Sequence, residues 1–466
     1  MSPNRPPHPW RWIPTLYFGQ GLPYVVVMSL AVVLYKNLGL GNTEIALYTS
    51  WLYLPWVIKP LWSPLVDLLG RKRLWIVAMQ LLVGASLAAA ALALPGPRYL
   101  HWSLAIFWLM AFASATHDIA ADGFYMLALP QRSQAAFVGV RSLFYRLAMI
   151  SGQGGLVVLA GVLADHHGDV VLAWQQVFGL LSAVLLAAAA WHAWALPRPA
   201  ADQASRAALA GSAADGDAPP LALGRLLSDT LSVFAAFFRQ PGITRILAFL
   251  LLYRFAEAQL LKLVAPFMLD ATAQGGLGLK TQDLGIAYGT FGVAALTVGG
   301  LLGGWIISRV GLKRALWPLM LCLHAPNLLY VLLAWVQPQN LAWVSAAVAV
   351  EQFGYGLGFT AYMVFMLMVA ENTPFSAGHK PALGPRPPSG AAAQGDQGNP
   401  HKTAHYALCT GFMALGMMLP GMVAGWLQQQ LGYLGFFAWV CLAALPSFVA
   451  AALVRIDADF GRRETP

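Results

Sequence analysis

The chain has 466 residues, 58% of them hydrophobic and only 10% charged, against roughly 45–50% and about 25% in soluble globular proteins. It has too little polar surface to coat a water-soluble globule, which leaves an integral membrane protein. Its net charge of +9 would suit an acidic partner, but where the cations fall excludes nucleic acid as the explanation.

Stretches of roughly 20 apolar residues predict twelve spans, near 12–36, 43–68, 74–94, 101–129, 135–164, 172–196, 243–269, 281–308, 315–336, 341–370, 404–428 and 433–455. The opening "MSPNRPPHP" runs into the first without a small-residue cleavage site, so a retained helix is expected there, not a signal peptide. With the N-terminus inside and loops assigned alternately, the inside collects basic residues such as Arg71, Lys72, Arg73, Arg198, Lys313 and Arg314, while the outside holds only Lys36, Arg98 and Lys280. This is the positive-inside bias of a protein with both termini in the cytoplasm.

Span six is followed by "PRPAADQASRAALAGSAADGDAPP" (197–220), whose composition reads as a flexible linker. Next to it, Leu223, Leu226, Leu227, Phe234 and Phe238 fall near helical spacing, which predicts a short amphipathic helix at the membrane surface. The expected organisation is a six-helix bundle over 1–196, a linker over 197–240, and a second bundle over 241–466 carrying a disordered insert at 373–402. Cys322, Cys409 and Cys441 lie within spans without metal-ligand spacing, so they are read as packing residues and no metal or other cofactor is expected.

Ionisable side chains at membrane depth cost roughly 2.5–3.5 kcal/mol each on insertion scales and usually line a cavity or pair. The first half holds Lys59, Asp118, Asp122, Arg141 and Arg146; the second holds Arg254, Glu257, Lys262 and Glu351. At about 1.5 Å per residue, Lys59, Asp122 and Arg141 fall at one shallow level, and Asp118 and Arg146 lie deeper. The two aspartates sit one turn apart on one helix face, each with a cation available at its level. An ion-pair network joining helices is the structural reading of this cluster; a proton or substrate role is the functional one, strongest for Asp118 beside His117. Glu257 and Glu351 are candidate proton carriers near the midplane, and Arg254 and Lys262 suit an anionic cargo. An Arg254–Glu257 clip on one helix is the plainer alternative. Gln20, Tyr24, His117, Tyr125, Gln259, Asn327, Gln352 and Tyr355 are softer candidates for hydrogen bonds to cargo, with an interhelical hydrogen bond the plainer role of each. Trp51, Tyr53, Trp56 and Trp62 could stack on a sugar, with interfacial or packing roles the plainer reading.

The halves echo each other. "SPLVDLLGRKR" (63–73) after span two lines up with "GWIISRVGLKR" (304–314) after span eight, the trace of a parallel repeat of six helices. The first copy resembles the loop motif between helices two and three of the major facilitator superfamily. Asp67, Gly70, Arg71 and Lys72 match that gating motif, while Ser63 and Leu68 replace its first Gly and first Arg. Within the superfamily, "GQGLP" (19–23), "KPLWSPLVD" (59–67), "ATHDIAADG" (115–123) and "GFMALGMMLPG" (411–421) resemble the peptide/acetyl-coenzyme A/drug transporter family. The resemblance implies an all-α fold of twelve transmembrane helices in two pseudo-symmetric six-helix bundles. It also implies a location in a bacterial-type inner membrane, a monomer, and proton-driven import of anhydromuropeptides. A siderophore or another amphipathic organic anion is the alternative cargo.

Two other classes fit poorly. An intramembrane aspartyl enzyme needs carboxylates sharing a proton, and no nucleophile, zinc or phosphate-loop motif is present in the sequence. A divalent-cation carrier would be opposed by Lys59, Arg141 and Arg146.

Overall fold

The computed structural model describes residues 8–68, 71–199, 202, 231–371, 402–457 and 460–462. Among the described residues nine helices are long and apolar enough to cross a membrane. One of them contains Gly432 at φ 68°, ψ 174°, a conformation open to glycine alone without strain, and that break divides it into two passes. Two further passes escape a simple length test because each is interrupted, the second at Leu52–Tyr53 and the seventh at Tyr253–Arg254. Together these make twelve.

In chain order they are α1 (Pro9–Asn37), α2 (Asn42–Trp51 and Leu54–Leu68), α3 (Lys72–Ala93), α4 (Tyr99–Ala128), α5 (Gln131–Ile150 continuing to His167) and α6 (Val170–Ala195). The second set is α7 (Ile243–Leu252 and Phe255–Leu269), α8 (Thr281–Val310), α9 (Leu312–Val336), α10 (Leu341–Ala370), α11 (402–431) and α12 (433–453). Three helices widen into π-turns, at Val26–Leu30, Ser151–Leu156 and Gly285–Gly292. The first follows Pro23, which has no N–H for the helix ladder; the other two contain the glycine-rich runs of α5 and α8.

Most of the linker and the insert, 203–230 and 372–401, lie outside the described residues. Of the expected amphipathic helix, 231–238 is described and helical. It docks through Phe237, fully buried against His405 and Phe412. Phe238, placed on the apolar stripe by spacing, is 45% exposed instead.

The six-helix sets meet along two main seams, α2 against α11 and α5 against α8. Glycine sets their closeness. A Cβ on Gly289 would lie 2.0 Å from the Gln153 carbonyl oxygen, and one on Gly425 would lie 2.1 Å from that of Asn42. The backbones touch because nothing stands between them, as small residues allow in membranes. Gly289→Ala is therefore expected to pry α8 from α5, lowering the melting temperature in detergent by several degrees; unchanged melting would show that the seam yields freely.

Both termini lie on one side of the bundle. On the opposite, far side the sets are tied by polar contacts. Lys36 Nζ lies 2.5 Å from Asp270 Oδ1, and Tyr433 Oη donates to Asp270 Oδ2 at 2.6 Å. Asn42 Nδ2 donates to Gln428 Oε1 at 2.9 Å and to Asp270 Oδ2 at 3.3 Å. A second tie joins Lys280 Nζ to Asp165 Oδ2 at 2.7 Å, with Gln282 donating to the same oxygen.

Candidate functional site

Between the sets lies a cavity of about 820 Å³, lined from both and reaching the terminus side past Val138, Ser142 and Met363. Far-side contacts seal its other end. The arrangement is inward-facing with respect to the termini.

The wall from the first set carries the predicted aspartates. Asp118 Oδ2 accepts from Trp56 Nε1 at 3.1 Å and lies 3.7 Å from Lys59 Nζ. Asp122 Oδ1 lies 2.8 Å from an Arg141 nitrogen, and Tyr17 Oη approaches it at 3.5 Å. Arg141 also stacks over the Tyr17 and Tyr125 rings. Each aspartate thus has its own cation, on α2 and α5 respectively, and Asp118, Asp122 and Arg141 face the cavity. The depth argument pairs them differently from the structure: Lys59 serves the deeper Asp118, since the long lysine stem climbs toward the midplane. Arg146 reaches across to α8, where Nη1 donates to Thr297 Oγ1 at 3.4 Å. That leaves a cationic cavity residue with no carboxylate within 4.0 Å among the described residues.

The opposite wall centres on the break in α7. Arg254, whose residue ends the turn, projects into the cavity and donates to Tyr355 Oη at 2.6 Å and to Glu257 Oε1 at 3.3 Å. The rings of Tyr355 and Phe359 lie 5.1 and 5.0 Å from its guanidinium carbon, in cation–π range. Glu257 is buried behind it, with Oε2 lacking any hydrogen-bond partner. Lys262 faces the cavity, donating to Thr49 Oγ1 at 3.0 Å with the Tyr53 ring 5.0 Å away. Glu351 sits one layer back. Its Oε2 accepts from Gln352 at 2.9 Å and from Tyr330 Oη at 3.3 Å, and no described cation lies within 4.0 Å of it. Gln352 and Tyr288, linked at 3.3 Å, stand between Glu351 and the cavity.

Gln20 lines the cavity with its Oε1 buried and unpartnered. His117 does not line it. It faces the interior of the first set, in a chain that runs from His117 through Gln80 and His192 to Thr15, with contacts of 3.0, 2.8 and 2.9 Å. One residue before Asp118 on a helix means about 100° of rotation, which turns His117 onto the packed face. His117→Ala should lower stability by about 1–3 kcal/mol, the cost of orphaning a buried polar partner, and leave KM for cargo unchanged; a raised KM would return it to the site. Of the loop motif, Gly70 and the side chain of Asp67 lie outside the described residues. Arg71 precedes α3 in extended conformation, and the Lys72 stem packs where a Cβ on Gly123 of α4 would fall.

Of the aromatic lining, Tyr24, Trp56 and Tyr355 are among the softer sequence candidates, and Tyr145 and Tyr288 escape sequence reasoning. Tyr24, Trp56, Tyr145, Tyr288 and Tyr355 all face the cavity; each lies inside an apolar run, where facing cannot be read from residue type. The proximity of Tyr24 and Trp56, ring centroids 5.4 Å apart, needed the packing of α1 on α2.

Comparison with known proteins agrees with this architecture. A family model for the Major Facilitator Superfamily matches residues 15–378. The Anhydromuropeptide permease of Escherichia coli K12 is 27% identical over 412 residues, covering 87% of this chain and 72% of that protein. An uncharacterized protein of Haemophilus influenzae is 25% identical over 464 residues, covering 93% and 91%. Among solved structures, the nucleoside transporter NupG superposes with a TM-score of 0.63 at 15% identity, covering 95% of this chain and 98% of that one. An inward-facing, unoccupied bacterial homologue of the human lysosomal transporter Spinster superposes with a TM-score of 0.62 at 15% identity, covering 96% of each. At such identities the structural likeness speaks to fold alone. With most of its length matched by the family model, its twelve passes and its central cavity, the chain belongs to the Major Facilitator Superfamily and is a multi-pass membrane transporter, not an enzyme.

Proposed function

We propose that the protein imports anhydromuropeptides across a bacterial inner membrane, driven by the proton gradient, by rocking its two six-helix sets about the central cavity. Both termini face the cytoplasm in this reading, as the basic loops favour, and the monomer is the working unit. The carrying observation is the chemistry of the cavity: Arg146, Arg254 and Lys262 line it next to a set of aromatic rings, Arg254 backed by Glu257 and the other two with no carboxylate within 4.0 Å among the described residues. A volume of about 820 Å³ lies within the ~300–1,000 Å³ typical of organic-ligand sites. Carboxylates of a peptide stem suit the cations, and sugar faces suit Trp56 and Tyr24. The unpartnered Gln20 Oε1 is available to a hydroxyl or amide donor. The name of the 27% identical relative supports this cargo.

Proton coupling requires a group whose charge differs between the two states. Glu257 and Glu351 are buried carboxyls, the first with a free oxygen and the second without a cation partner. Each elementary charge moved down the potential yields roughly 2.3 kcal/mol per 100 mV. Asp118 and Asp122, with cations already in place, hold α2, α4 and α5 together and present one charged wall to cargo. The test is uptake of labelled anhydromuropeptide into proteoliposomes of defined orientation, with and without an imposed proton gradient. Gradient-dependent accumulation is expected. Accumulation without any gradient dependence removes the coupling, and accumulation of a siderophore in preference removes the muropeptide.

A further inference from the structure

A second cavity, of about 410 Å³, lies on the terminus side, away from the central one. It is formed where the start of α3 meets the end of α6, and Arg71, Arg73, Leu74, Arg198, Pro199 and Asp202 line it. Three guanidinium groups around one small cavity repel one another unless an anion joins them. Among the described residues a single carboxylate, Asp202, lines it, and its oxygens are largely engaged elsewhere. Asp202 Oδ1 accepts from the backbone N–H of Lys72 at 2.8 Å, and Oδ2 from that of Arg73 at 3.3 Å. Asp202 thus caps the first turn of α3, whose free N–H groups need an acceptor, and does not bridge the arginines. One guanidinium nitrogen of Arg73 donates to the Ala193 carbonyl. The Nε atoms of Arg71 and Arg73 are buried without a partner, and Arg198 is exposed with no ion pair among the described residues. The cavity is therefore a set of aimed, unsatisfied donors with excess positive charge, the chemistry of a phosphate or similar oxyanion site.

Its surroundings say where that oxyanion comes from. Trp191 and Trp194 on the last turns of α6 are 39% and 65% exposed, and Leu74 is 53% exposed. The two indoles lie edge to face at 5.2 Å, the Trp191 N–H donates to the Arg11 carbonyl at 3.1 Å, and the Arg11 guanidinium covers the Trp194 ring at 4.9 Å. Exposed tryptophans with arginine partners mark the headgroup level of a bilayer. A basic pocket at that level, opening beside an exposed leucine, meets lipid phosphate from its side and acyl chain from its edge.

We propose that Arg71, Arg73 and Arg198 form a binding site for the phosphate of one anionic phospholipid, with Asp202 as the chain's own neighbouring counter-charge. The site pins α3 to α6 within one six-helix set, and it is independent of what the central cavity carries.

The test titrates phosphatidylglycerol into delipidated full-length protein in detergent and counts retained lipid by native mass spectrometry, with phosphatidylcholine as the neutral comparison. Wild-type protein should retain one phosphatidylglycerol at lipid concentrations where the R71Q/R198Q variant, losing two surface-level cations, retains about tenfold less. Arg198→Gln alone should give an intermediate loss; since that side chain is exposed and unbonded, it leaves the fold intact, as an unchanged gel-filtration profile would verify. Asp202→Asn, which keeps a carbonyl oxygen for the α3 cap but removes a negative charge, should tighten retention. Equal retention by wild type and R71Q/R198Q, or of phosphatidylcholine and phosphatidylglycerol, would overturn the proposal. Inorganic phosphate in excess should leave the lipid bound; displacement by phosphate alone would mark a free-anion site and overturn the lipid assignment.

Discussion

Arg254→Met should abolish gradient-driven accumulation and cost roughly 3–5 kcal/mol of stability, the penalty for leaving one member of a buried ion pair alone. Glu257→Gln should be milder in stability and equally severe in accumulation. The asymmetry follows from the partners that remain. Without Glu257, Arg254 still donates to Tyr355 Oη and still lies against two rings. Without Arg254, Glu257 is left with no described hydrogen-bond donor, because its other oxygen already has none. The double variant Arg254→Met/Glu257→Gln should recover most of the lost melting temperature, since removing both charges of a buried pair is often close to neutral, while transport stays absent. Thermal melting in detergent and uptake into proteoliposomes measure the two effects separately. If the double variant regained transport along with stability, the pair would be only the intrahelical clip that its spacing of three residues allows, and the cargo and proton roles would pass to other residues.

What the sequence made legible was set by period and by charge. Twelve apolar stretches, the parallel repeat and the linker position need no tertiary knowledge, and the ionisable residues at depth stand out against their apolar runs. The Asp122–Arg141 pairing was readable from depth, whereas Lys59–Asp118 was not, because the reach of the lysine stem offsets its backbone level. Nor was Arg146. It turns toward Thr297 of the opposite set, and the distance between sets depends on which end of the cavity is closed. Glu351 was located in depth, but its placement one layer behind Gln352 and Tyr288 depends on helix rotation, which an all-apolar helix does not encode. His117 fails for the same reason, by a single residue step. Phe237 and Phe238 exchange places because a stripe on a short helix is uncertain by one position. The interruption at Arg254 left no signal in composition, although it carries the residue at the centre of the cavity wall.

Lys36 and Asp270 show a different gap: residues at loop edges whose significance lies only in meeting each other. Asp270→Ala should shift the protein toward the state open on the far side by roughly 10- to 100-fold, the equivalent of losing charge-assisted contacts of about 1.5–3 kcal/mol. The magnitude rests on burial. The Lys36 and Asp270 side chains are 14% and 11% exposed, and Tyr433 and Asn42 donate to the same carboxylate. The Lys280–Asp165 pair spans the same gap but is 64% and 52% exposed, where solvent reduces an ion pair to little net value. Asp165→Ala should therefore barely move the equilibrium. Spin labels at His166→Cys and Ala273→Cys, exposed sites on the far side of the two sets, with the native cysteines replaced by serine, would report the opening as a longer distance population. The Asp270 variant should also gain far-side accessibility at the cost of slower return, because transport needs both states to be reached. Equal shifts from the two variants would mean that the far side is held by helix packing at Gly289 and Gly425 and not by its charges. A larger shift from Asp165→Ala than from Asp270→Ala would reverse the assignment of the latch.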